Sequence, residues 1–346
     1  MSIMLLQLEQ PTLLHHGGRL RTAATRYAIA LKHWLDLSTG ANPNGWPVPA
    51  LPGPVWTRLP ENDDGLEHAA REYYEVEHVL PVAGSQAAIQ ALPHLRSRSR
   101  VYVLNPGYTE HAAAWRRADH TVIPVTADQI NNIISDADVL VLIHPNNPTG
   151  IRFPVDQLLD WHTQLASHGG WLVVDEAFMD ATPDMSLASY ADLPGLIVLR
   201  SLSQFFGLAG ARVGFVCAEP TLLTQLSTAL GPWTVNTPAR WIATAALKDY
   251  AWHDTMRQYL PVESARLKTL LAHHGLTSDG GCALFHWCRT PRAAHLHEGL
   301  ARQGILTRLF AIPSSLRFGL PGSESDWQRL ETALTNLDPK AARGQI

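Results

Sequence analysis

The chain has 346 residues, of which 46% are hydrophobic and 17% charged. That is enough apolar surface for a sizeable core and argues against a disordered chain. A formal charge of -4 gives no electrostatic reason to expect nucleic acid or an anionic membrane as partner. The three cysteines, Cys217, Cys282 and Cys288, show no CxxC spacing, and the 17 histidines are scattered without an HExxH. No metal site or disulfide framework is therefore expected, and a reducing, cytoplasmic setting fits.

The start, "MSIMLLQLEQ", lacks a basic n-region and makes a poor leader. Residues 1–40, rich in Leu, His and Gly, read as an N-terminal arm that packs with a smaller domain and the site. A larger domain follows over 41–235. Within it short apolar runs alternate with helical patterns: "VYVLNP" (101–106), "TVIPV" (121–125), "VLVLIHP" (139–145), "WLVVDEAF" (171–178) and "LIVLRSLS" (196–203). Near-continuous apolar strands suit a sheet covered on both faces, and none is long enough to span a bilayer. Between two of them Val155, Leu158, Leu159, His162, Leu165 and Ala166 keep a helical period after Pro154, closed by Gly169-Gly170. The alternation predicts an α/β fold with a mostly parallel sheet.

A smaller α+β domain is expected over 236–346. It begins with one long helical pattern from Pro238 to His274 and continues with "GGCALFHWC" (280–288) as a strand. A helix at 291–303, a strand at 316–319 and a frayed tail "DPKAARGQI" follow.

In such a sheet ligands bind beyond the carboxyl ends of the strands, and unusual residues gather there. Gly84 and Ser85 open a helix where backbone N–H groups would hold a phosphate, although an ordinary cap also explains them. Tyr108, in "NPGYTEH", could stack on a planar ring or simply pack. Asn147, in "HPNNPTG", offers an amide to donate. Asp175 ends an apolar strand, where a carboxylate is costly unless it meets a cation; a protonated pyridine nitrogen or a plain salt bridge would serve. "RSLSQFFGLAGARVGF" supplies Ser201, Ser203, glycine turns and Arg212, a set suited to a phosphate monoester. No dinucleotide or nucleotide-triphosphate motif occurs.

In kind and order these segments resemble the class I/II pyridoxal-phosphate aminotransferases, of aspartate-aminotransferase-like fold, over nearly the whole chain. The resemblance implies that Asp175 pairs with the pyridinium nitrogen, Asn147 with the ring's phenolic oxygen, and Tyr108 with the ring face. Gly84, Ser85, Ser201, Ser203 and Arg212 would hold the phosphate. Arg317, in "SLRFGL", would clamp a substrate carboxylate. Three stretches, "HHGGRL" (15–20), "LDLSTGANPNGWP" (35–47) and "LPENDDGL" (59–66), together with Phe178, are similar to the threonine-phosphate decarboxylases of cobalamin biosynthesis. That implies decarboxylation of L-threonine O-3-phosphate to (R)-1-amino-2-propanol O-2-phosphate, with His16 and Arg308 on the substrate phosphate. A homodimer is also implied, although Leu59 stands where many relatives place a tyrosine that reaches the neighbouring subunit.

One departure bears on the chemistry. The motif puts a lysine three residues after Ser201, and the residue there is Gln204. A carboxamide is neither a useful nucleophile nor a base, so pyridoxal phosphate would be held without a covalent link and turnover would fall severely. A histidinol-phosphate-type aminotransferase and a non-catalytic cofactor-binding protein are the alternatives.

Overall fold

Successive side chains of a strand face opposite sides, and here both sides are packed. Val139 and Val141 enter one buried cluster with Val173 and Ile197, while Leu140 and Leu142 enter the other with Leu172 and Val198. The computed structural model describes residues 16–337; the first fifteen residues and the tail expected to fray lie outside the described residues.

In chain order the strands are β1 (Leu35–Asp36), β2 (Val79–Val82), β3 (Arg100–Leu104), β4 (Thr121–Val125), β5 (Val139–Ile143), β6 (Trp171–Asp175) and β7 (Leu196–Ser201). They continue with β8 (Gly214–Cys217), β9 (Gly280–Cys282), β10 (Phe285–Arg289), β11 (Ile305–Leu306), β12 (Arg308–Phe310) and β13 (Ser315–Gly319). A seven-stranded sheet has the order β2-β8-β7-β6-β5-β3-β4. Only β8 runs against its neighbours. This is the mostly parallel α/β sheet expected, and its strand order reverses between β5 and β3. The second, smaller sheet, β12-β13-β10-β9, is antiparallel throughout. The chain before the large sheet is tied to the far end: β1 pairs in parallel with β11, and Tyr27 donates to Glu298 at 2.6 Å.

Two expectations are corrected. The long pattern after Pro238 is two helices, Thr237–Leu247 and Tyr250–His273, because Asp249 caps the second by accepting from the Trp252 N–H. Its other oxygen accepts from the Trp46 indole at 2.9 Å, so the break also anchors the loop after β1. "GGCALFHWC" is a hairpin rather than one strand: β9 and β10 pair across Ala283 and Leu284. The chain also gains a strand at β12, which completes the small sheet beside β13.

Immediately behind the site lies a buried ion cluster. Arg200 donates to Glu176 at 2.5 Å and to Asp180 at 2.6 Å, with all three side chains at most 3% exposed. Glu176 also accepts from the Leu187 N–H and the Ser186 hydroxyl, which pins the loop leaving β6. Removing the cation would strand two carboxylates away from water. Arg200→Met is therefore expected to cost about 3–5 kcal/mol in urea denaturation; a loss below about 1 kcal/mol would show that the cluster does not support this loop.

Candidate functional site

The loops after β3, β5, β6 and β7 open onto one cavity of about 340 Å³. It gathers Ser85, Tyr108, Asn147, Asp175, Ser201, Ser203, Gln204 and Arg212 from the large sheet, Arg308 and Arg317 from the small one, and His16 from the N-terminal segment. Of the residues expected at the site, Gly84 alone does not line it. Gly84 is the residue before the helix Ser85–Ala91, at φ 70°. A Cβ there would meet the Arg212 guanidinium at 2.4 Å, so its lack of a side chain lets that cation lie across the helix start.

This end of the cavity is built for an anion. A Cβ on Gly214 would meet the Ser85 backbone nitrogen at 2.5 Å, so that glycine lets the helix start close on β8. Ser201 and Ser203 follow at the end of β7, where the Ser201 hydroxyl accepts from the Ser203 N–H at 3.2 Å. Arg212 reaches in from a left-handed residue at φ 56° and also donates to the Ala209 carbonyl. No carboxylate is bonded to Arg212 among the described residues.

The middle of the cavity suits a planar ring. Asp175 ends β6, is 3% exposed, and lies 2.9 Å from His111 Nε2. Its other oxygen accepts from the Ala177 N–H. The carboxylate is thus fixed from behind and presents its charge to whatever lies in front. Tyr108 donates its hydroxyl to Gln86 at 3.1 Å; burial pushes its phenol up to about 12, so it stays neutral. Asn147 accepts from Arg317 through Oδ1 at 2.6 Å, which leaves its amide N–H groups to donate elsewhere.

The third region is cationic. Arg308 and Arg317 are register partners across β12 and β13. Like charges opposed on a sheet repel unless an anion sits between them. Arg317 is 4% exposed, and burial pulls it down to about 10, yet no described carboxylate bonds to it. Its bonds go to Asn147 and to the Ser38 carbonyl at 2.5 Å, both neutral acceptors. His16 Nε2 lies 2.7 Å from Glu110. Asp175 is the one acid among the described residues that line the cavity.

Gln204 is held by its backbone, whose carbonyl accepts from the Asn42 N–H at 2.8 Å. Its side-chain oxygen is buried with no partner. Gln204 therefore lines the cavity without being tied into it.

A flat aromatic group with a phosphate at one end and one or two further anions at the other matches this donor set. The Gly84–Arg212 cradle and the buried, acid-free Arg317 are the features that fit it. Among the described residues no group of three or more His, Cys, Asp or Glu could hold a metal ion.

The sequence reading missed His111, Gln86, Glu110 and Ser38. His111 had a signal: helix Thr109–Arg117 starts directly after Tyr108, which places residues 108 and 111 on one face. Ser38 and Glu110 had none, because their roles come from segments distant in sequence.

The model of the "Aminotransferase class I and II" family matches residues 36–334. Threonine-phosphate decarboxylase of Pseudomonas aeruginosa is 55% identical over 329 residues, 95% of this chain and 99% of that protein. The Sinorhizobium threonine-phosphate decarboxylase is 39% identical over 93% of this chain and 98% of its own length. Among solved structures, histidinol-phosphate aminotransferase from Sinorhizobium meliloti in complex with pyridoxal-5'-phosphate superposes with a TM-score of 0.81. At 19% identity, and covering 97% of this chain and 96% of that one, it shares the fold. With the matched model running from β1 to the last helix, the chain belongs to the class I and II aminotransferase family.

Proposed function

We propose that this protein is a pyridoxal-phosphate-dependent decarboxylase of L-threonine O-3-phosphate, forming (R)-1-amino-2-propanol O-2-phosphate for cobalamin biosynthesis. The observation that carries the reading is that Arg212, Arg308, Arg317 and His16 line one cavity in which Asp175 is the one acid among the described residues. Arg212 with Ser201 and Ser203 serves one phosphate, and Arg317 serves a carboxylate. Arg308 and His16 then stand for a second phosphate, which an unphosphorylated amino acid would not bring. The name shared by the two relatives supports the same substrate.

When bound, pyridoxal phosphate supplies an electron sink for the pair left behind as a bond to Cα breaks. The residues do the rest. Asp175, backed by His111, would pair with the ring nitrogen and favour its protonated form. Asn147, which accepts from Arg317, would donate to the ring oxygen and so couple ring placement to carboxylate placement. Arg317 aims the carboxylate, and that orientation selects carbon dioxide loss over proton loss at Cα. Tyr108 would stack on the ring as a neutral phenol.

Gln204 limits turnover. It cannot form a covalent link to the cofactor aldehyde, so phosphate and ring contacts alone hold the group. Nor can it carry a proton to Cα. The proposal includes a cytoplasmic homodimer. Trp56, Leu59 and Trp233 are each at least 60% exposed. The Arg58 carbonyl accepts from Thr237, bringing their two segments side by side as a candidate pairing face.

Gln204→Lys should raise carbon dioxide release from L-threonine O-3-phosphate by about a hundredfold or more, the scale of a restored general acid–base group. Oxo-acid-dependent amino transfer without carbon dioxide would instead favour the aminotransferase reading. Borohydride reduction of the cofactor-loaded protein followed by mass spectrometry should show no lysyl adduct in the chain as it stands and a stoichiometric one at position 204 in that variant. A lysyl adduct in the unaltered chain would contradict the role given to Gln204. Sedimentation should return twice the chain mass, and Trp233→Glu should shift it toward one; a monomeric parent would remove the dimer from the proposal.

A further inference from the structure

The carboxylate of Glu110 sits just behind the cavity wall, and nothing in the chemistry above uses it. It belongs to the first turn of the helix Thr109–Arg117, and its side chain is 14% exposed. One oxygen lies 2.7 Å from His16 Nε2. The other accepts from Gln86 and Gln90, each at 3.4 Å, with Arg117 at 3.7 Å. Gln86 in turn accepts from the Tyr108 hydroxyl. Tyr108 and His16 rings stand 5.9 Å apart. Glu110 is thus the hub joining the N-terminal segment to the aromatic ring of the site.

The segment beyond His16 is fixed at a second point. A Cβ on Gly17 would meet the Ser38 carbonyl oxygen at 2.3 Å, and the Gly18 N–H donates to the Ser38 hydroxyl at 2.8 Å. That same Ser38 carbonyl accepts from Arg317. Between Glu110 and Ser38 the backbone at His16 has little room to swing. A carboxylate can only accept, so the proton between it and His16 resides on Nε2. The other ring nitrogen, Nδ1, has no hydrogen-bond partner among the described residues. A ring gripped through Nε2 at the cavity wall therefore leaves Nδ1 to meet a ligand.

We propose that Glu110 is a positioning residue: it orients His16 at the cavity and so sets the preference for a phosphorylated ligand over its unphosphorylated counterpart. This rests on the functional reading above, because it takes the second anion to be the substrate's phosphate.

The test is calorimetric binding of L-threonine O-3-phosphate and of L-threonine to the pyridoxal-phosphate-saturated full chain, for the parent, Glu110→Gln, His16→Ala and the double variant. Glu110→Gln should weaken the phosphorylated ligand about tenfold, the scale of a charge-assisted hydrogen bond. L-Threonine should change by less than about twofold on the same scale. The double variant should lose no more than His16→Ala, because both act through one ring. Unchanged or tighter binding of the phosphorylated ligand in Glu110→Gln, equal losses for both ligands, or additive losses would each overturn the inference. A parent that does not prefer the phosphorylated ligand would overturn the functional reading itself, whatever the variants do.

Discussion

A guanidinium buried without a carboxylate is the constraint around which the site is organised. Arg317 projects from β13, bonds to the amide of Asn147 beyond β5 and to the carbonyl of Ser38 beyond β1. Three distant stretches thus converge on one cation that gains only neutral acceptors. Burying such a charge is unfavourable unless an anion arrives, and the same burial pulls its pKa down. On the proposed function, the arrangement holds this cation ready for the substrate carboxylate.

Backbone contacts make that convergence possible. A Cβ on Gly150 would lie 2.1 Å from the Gly281 carbonyl oxygen, and one on Gly280 would lie 2.0 Å from that of Thr149. The β9–β10 hairpin therefore rests directly on the loop that carries Asn147, with no side chains between. The Gly319 N–H donates to the Leu37 carbonyl at 2.7 Å and draws the end of β13 onto the residue before Ser38. Behind the cavity the Arg200 cluster fixes the turn after Asp175, and His111 fixes its carboxylate. Gln204 lines the same space with its side-chain oxygen buried and without a partner.

Much of the large sheet was legible because its signals are local. The runs at β3 to β7 are apolar enough to demand cover on both faces, and Pro154 and Gly169 bracket the helix between β5 and β6. Asp175, Ser201 and Arg212 stood out because charge and hydroxyl at the end of an apolar strand need a reason. The small sheet was harder to read. The hairpin at 280–288 turns within two apolar residues that carry no turn signature. The break at Asp249 was overlooked inside a continuous helical period, although aspartate is a good cap.

Sequence alone determined the strand-and-helix alternation, the residue types available to line a site beyond the strand ends, and the presence of an amide at position 204. These are properties of single residues and their near neighbours. Tertiary structure decided which of them meet. Arg308 opposite Arg317, His111 behind Asp175, and Glu110 gripping His16 across 94 positions all depend on how far-separated segments pack. No local pattern encodes such contacts, because they form only when the sheets and the N-terminal segment close around one buried space.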